Sequence, residues 1–110
     1  MTVSTHVLDT HRGRPAASVP VRLDRYAEDT WRPVLEGRTD GRGRWTALGG
    51  GGSEPGTYRL RFGTGPYFAE LGTDTYYPEV VVVFTVAEGS GHHHVPLLLS
   101  PYGYSTYRGD

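Results

Sequence analysis

Apolar side chains recur at every second residue, in short runs cut by glycine and proline at roughly ten-residue spacing, and this rhythm restricts the fold more than any other feature. Val3, Thr5 and Val7 fall on one face of a strand, with Ser4, His6 and Leu8 on the other. Val19, Val21 and Leu23 repeat the pattern around Pro20, which suits an edge strand or a strand's first residues. Trp31 to Thr39 is a weaker strand with Trp31 and Leu35 in phase, and Asp40-Gly41-Arg42-Gly43 turns the chain into a strand from Arg44 to Leu48. Gly49 to Gly52, followed by Ser53-Glu54-Pro55-Gly56, reads as a flexible loop. Tyr58, Leu60 and Phe62 then alternate with Thr57, Arg59 and Arg61. Pro66 to Leu71 reads as one or two turns of helix, opened by Pro66 and stopped by Gly72. The β-branched run from Glu79 to Val86 predicts a central strand buried on both faces. His92 to Leu99 predicts another strand, and Tyr102 to Tyr107 a last, aromatic-rich one after the Ser100-Pro101 break. The expectation is an all-β chain: a two-sheet β-sandwich of about eight strands with one short helix.

A length of 110 residues suits one domain, 1–110. With 11 basic residues against 12 acidic ones and a formal charge of -1, the chain lacks the basic face that nucleic acid or an anionic membrane requires, so neither is expected as a partner. Its apolar runs are too short to cross a bilayer as helices. Met1 to His6 lacks the charged and apolar regions of an export signal, which makes the cytoplasm the expected compartment. Cysteine is absent, so packing alone must hold the fold and neither thiolate metal sites nor cysteine nucleophiles are available. At 36% hydrophobic residues, burial between subunits is a reasonable supplement, and an oligomer is expected.

Three of the five histidines stand together in Gly91-His92-His93-His94-Val95. Imidazole is a metal ligand and also the side chain that titrates near neutrality. On a strand, His92 and His94 share a face and His93 points the other way, so a three-histidine zinc site would need a third ligand such as His6. The alternative keeps these residues as hydrogen-bonded strand histidines. Arg44 begins a strand just after a turn, where a guanidinium reaches past the sheet edge toward an anion or a carbonyl, or is simply solvated. The tyrosines crowded toward the C-terminus are expected mostly to pack the core.

Three segments together resemble the 5-hydroxyisourate hydrolases of the transthyretin-related family. They are Ser4-Thr5-His6-Val7-Leu8-Asp9 with Gly13-Arg14-Pro15, the turn Thr39-Asp40 through Gly43-Arg44, and the stretch from His92 through Val95-Pro96-Leu97-Leu98-Leu99 to Tyr107-Arg108-Gly109. The last is the most specific, because transthyretin itself lacks the terminal Tyr-Arg-Gly-Ser of the hydrolases. The resemblance implies a transthyretin-like sandwich assembled as a homotetramer, with sites shared between subunits. It implies hydrolysis of 5-hydroxyisourate to 2-oxo-4-hydroxy-4-carboxy-5-ureidoimidazoline, without a metal or organic cofactor. It carries His6, Arg44 and His94 over as catalytic residues, His6 and Arg44 also binding substrate together with the tail residues Tyr107, Arg108, Gly109 and Asp110. Amide hydrolysis needs an activated water, a donor for the developing oxyanion and a proton for the departing nitrogen, and two histidines and an arginine can supply these. Two departures stand out: Asp110 replaces the family's terminal serine, and Arg42 replaces an aspartate in the turn before Arg44. A carboxylate at 110 is expected to raise a neighbouring histidine's proton affinity, and Arg42 to disturb the turn. The alternative function is a non-catalytic small-ligand binding protein of the transthyretin type.

Overall fold

The computed structural model describes residues 2–47 and 54–110. Two sheets face each other. The first is organised around β1 (Thr2–Asp9), whose two halves have different neighbours. The first half lies between β5 (Arg44–Ala47), antiparallel with His6 opposite Arg44, and β8 (His92–His94), parallel with Ser4 opposite His94. The second half lies between the two-residue β2 (Arg14–Pro15) and β9 (Leu97–Ser100), which β10 (Gly103–Thr106) extends. The second sheet has the order β4-β3-β6-β7, with β3 (Pro20–Ala27), β4 (Thr30–Arg38), β6 (Gly56–Phe62) and β7 (Val80–Val86) all antiparallel to their neighbours. The core forms where the alternating faces meet: Val3 and Val7 of β1, Val21 and Leu23 of β3, Tyr58, Leu60 and Phe62 of β6, and Leu97 and Leu99 of β9 are all buried. A short helix, α1 (Thr64–Glu70), inserts Phe68 into the same cluster.

The structure describes ten strands rather than about eight, for two local reasons. Pro96 has no N–H for the ladder and splits the expected strand 92–99 into β8 and β9, both still parallel to β1. The segment expected as a turn before Pro15 adds the short β2. Pro20 opens the inner strand β3 as its first residue, and Pro33 lies in β4, an edge strand. A bulge opposite Leu23/Asp24 breaks the expected phase of β4. Leu35 therefore pairs with the inward-facing Leu23, whereas Trp31 pairs with Tyr26 and packs under the Arg59 guanidinium. The helix begins at Thr64, two residues before Pro66, and Gly72 adopts φ +65 after its end.

The largest correction concerns the valine run. β7 is not central: among the described residues it pairs only with β6, and while Val80 and Val86 are buried, Val81 and Val83 are 40% and 57% exposed. An unbroken β-branched run looks the same whether its second face is covered by its own chain or left open, so periodicity alone did not distinguish the two. The C-terminal tyrosines also depart from expectation. Tyr67 is buried, but Tyr76, Tyr102, Tyr104 and Tyr107 stand exposed on the outside. Leu48 and the glycine loop from Gly49 to Ser53 lie outside the described residues.

Candidate active site

The outward face of β1 gathers the chemistry, because alternation turns Ser4 and His6 away from the core that Val3, Thr5 and Val7 occupy. The antiparallel register sets Arg44 directly beside His6 on one side. The parallel register with β8 sets His94 beside Ser4 on the other, one step along the same face. His6, Arg44 and His94, which are far apart in sequence, thus converge on three adjacent strands.

Arg44 is aimed by a turn that closes on Asp40. The Asp40 carboxylate accepts the Arg42 N–H at 2.8 Å and the Arg44 N–H at 3.0 Å, and these two bonds hold its pKa below the ordinary carboxylate value. The Gly43 N–H donates to the Asp40 carbonyl at 2.9 Å, and the Val7 N–H donates to the Gly43 carbonyl at 2.7 Å. Gly43 has φ +76, a conformation that favours glycine. Residue 42 contributes to this turn through its backbone: its N–H donates to the Asp40 carboxylate and its carbonyl accepts from His6 Nε2 at 2.9 Å. A carbonyl can only accept, so His6 donates through Nε2–H, which turns Nδ1 away from the turn.

His94 is half-buried, and its Nδ1 lies 2.8 Å from Ser4 Oγ. Burial first, then the nearby His92, His6 and Arg44, push its pKa below the ordinary histidine value, which favours the neutral ring that can accept a proton. Each of the groups acting on His94 lowers its pKa, and Asp110 is not among them. The tail reaches His94 through Gly109, whose N–H donates to the His94 carbonyl at 2.8 Å. A Cβ at position 109 would lie 2.6 Å from His94 Cδ2, so only glycine fits against the ring. Tyr107 and Arg108 diverge from this cluster. They line a cavity of about 220 Å³ with His93, Val82 and Phe84 on the other side of the sheet, where burial and the Arg108 charge hold the His93 pKa down. Asp110 is exposed.

The structure also brings in residues that the catalytic assignment omitted. His92 stacks on His94 with ring centroids 6.4 Å apart, and Ser4 Oγ lies 2.9 Å from His92 Nε2. The signal for both was the two-residue strand spacing, Ser4 with His6 and His92 with His94. Among the described residues, no three His, Cys, Asp or Glu side chains are grouped so as to hold a metal ion.

A family profile for the HIUase/Transthyretin family matches residues 3–109. The chain belongs to this family. A 5-hydroxyisourate hydrolase of Salmonella dublin is 45% identical over 108 residues, covering 97% of this chain and 79% of that protein. Among solved structures of the family, Klebsiella pneumoniae 5-hydroxyisourate hydrolase superposes with a TM-score of 0.86 at 33% identity, covering 99% of this chain and 98% of that one. Sea bream transthyretin, solved with thyroxine, superposes with a TM-score of 0.89 at 31% identity, covering 97% and 93%. The family fold is therefore shared by a hydrolase and a hormone-binding protein, and the face carrying His6, Arg44 and His94 has to decide between them.

Proposed function

We propose that this protein hydrolyses 5-hydroxyisourate to 2-oxo-4-hydroxy-4-carboxy-5-ureidoimidazoline, with His94 as the general base. The observation that carries this is a half-buried imidazole held on a strand beside a second histidine and an arginine, in surroundings that lower its pKa. His94 Nε2 takes a proton from water as the water oxygen attacks the ring amide carbonyl. Arg44 donates to the carbonyl oxygen as negative charge develops there, and His6 orients the water or substrate through Nδ1. The ring C–N bond then breaks and the departing nitrogen takes up the proton, so no cofactor enters the balance. Gly109 brings the tail against His94, while Tyr107 and Arg108, which line the cavity beside His93 on the other side of the sheet, stay outside this substrate face.

Assembly as a homotetramer belongs to the same proposal. Among the described residues β7 has no partner on one edge of its sheet, where Val81 and Val83 are exposed, and Tyr104 is exposed on β10 at the margin of the other sheet. Light scattering is expected to give roughly four times the 12.1 kDa chain mass.

The deciding experiment follows the ultraviolet decay of freshly generated 5-hydroxyisourate. The expected result is fast decay with wild type, insensitive to EDTA, and a loss of about 10²–10⁴-fold in His94→Ala. Decay at the spontaneous rate with wild type, together with saturable binding of thyroxine, would replace the enzyme with a binding protein. EDTA-sensitive turnover would bring back a metal.

A further inference from the structure

The face that holds His94 continues beyond it as an alternation of hydroxyls and imidazoles. β1 and β8 run parallel, with Thr2 opposite His92 and Ser4 opposite His94, so the side chains of both strands interleave on one face. Thr2 Oγ1 hydrogen-bonds His92 Nδ1. His92 Nε2 is 2.9 Å from Ser4 Oγ, and Ser4 Oγ is 2.8 Å from His94 Nδ1. The two imidazoles lie nearly parallel, 15° apart, so both present an edge to the same serine. The Thr2 and His92 end of this row is exposed, Ser4 is buried, and His94 is half-buried.

A serine hydroxyl has one proton and sits here between two ring nitrogens. If it donates to His92 Nε2, then His94 must carry its own proton on Nδ1, and its Nε2 is a lone pair. If it donates to His94 Nδ1, then His92 carries its proton on Nε2 and His94 Nε2 becomes an N–H. Reversing the polarity of the row therefore changes His94 from a base into an acid.

We propose that Ser4, His92 and Thr2 are positioning residues of a proton relay that drains His94 toward solvent and refills it during each turnover. This rests on the hydrolase function proposed above. As His94 Nε2 takes the proton from water, the Nδ1 proton passes to Ser4 Oγ and the Ser4 proton passes to His92 Nε2. The added proton rests on the exposed His92 or leaves from its Nδ1 through Thr2 to bulk water. His94 stays neutral throughout, which matters because burial and the His6 and Arg44 side chains all oppose a charge on its ring. When the ring nitrogen departs, His94 Nε2–H donates to it and the row returns to its first polarity.

Ring ¹⁵N chemical shifts of the whole protein test the arrangement without turnover. The relay requires His92 and His94 to share one tautomer, both protonated on Nδ1 or both on Nε2, and Ser4→Ala to uncouple them. Opposite tautomers would mean that Ser4 accepts from both rings, which overturns the proposal. In kinetics, Ser4→Ala and His92→Phe are each expected to lower kcat by about 10- to 100-fold with KM little changed, and the double variant to lose no more than the worse single one. A proton inventory in mixed H₂O and D₂O is expected to be curved for wild type and linear for either variant, which a merely structural role would not produce. Full kcat in His92→Phe, or additive losses, removes the relay and leaves the hydrolase standing. A wild-type protein that does not accelerate decay removes the hydrolase and the relay together. Since His92 is exposed, its variant keeps the test available if Ser4→Ala fails to fold.

Discussion

Gly43→Ala is expected to damage both stability and catalysis, by an amount that its neighbours allow to be worked out. At φ +76 an alanine enters the left-handed region, which costs roughly 1–2 kcal/mol. The new Cβ would also clash with the Val7 carbonyl oxygen and lie 3.1 Å from Pro15 Cβ. Relieving that clash separates the turn from β1 and sacrifices the Val7 N–H to Gly43 hydrogen bond, worth about 1 kcal/mol. The sum is about 2–3 kcal/mol, or about 10 °C in Tm for a domain of this size. Two other glycines calibrate the estimate. Gly13 has φ +70 with nothing near its added Cβ, so Gly13→Ala carries only the conformational cost. Gly41 has neither a positive φ nor a close neighbour, so Gly41→Ala is expected to be neutral to slightly stabilising. Urea and thermal unfolding of all three variants at one protomer concentration, with the hydrolysis rate at 25 °C, give the comparison. The turn also places Arg44 beside His6, so kcat should fall in Gly43→Ala alone. Gly43→Ala no less stable than Gly13→Ala would refute the account of this turn.

Tyr67 donates its hydroxyl at 2.7 Å to Asp9, a carboxylate buried in the sandwich that also accepts the Arg12 N–H, so Tyr67→Phe should cost about 1–3 kcal/mol in urea unfolding. Burial and then this hydrogen bond raise the Tyr67 pKa from 10.0 to about 12, so the associated stability is complete below pH 10 and lost as pH rises through about 12. Tyr67→Phe should lack that alkaline transition. Gly109→Ala should displace either the tail or the His94 ring and lower kcat by about 10-fold or more with little change in Tm, read by parallel kinetics and melts. Because the His94 pKa is lowered, kcat/KM should hold steady down through neutrality and fall only below pH 6.5 as the ring protonates. The stability tied to that group is present above 6.5 and lost as pH falls through the lowered folded-state value. A decline already under way at pH 7.5 would remove His94 as the base.

How far the residues could be read in advance differs by element. The period-2 faces of β1, β3 and β6 were legible because one face of each is buried by its own chain, so burial wrote the alternation directly into the sequence. The side of β1 that carries His6, and the shared face of His92 and His94, followed from the same periodicity. The turn at Gly43 was visible because a left-handed residue selects for glycine. Partnership was not legible. Whether the valine run was inner or edge, whether β4 kept its phase past the bulge at Leu23/Asp24, and whether Tyr107 and Arg108 lay with His94 or with His93 depended on contacts between distant segments. The same holds for the site. Local pattern determined which side chains leave the core, but only strand order and register, parallel with β8 and antiparallel with β5, decided that His6, Arg44 and His94 meet and that Ser4 stands between two imidazoles. A strand's own residues specify its faces, whereas its neighbours are chosen by the collective burial of both sheets.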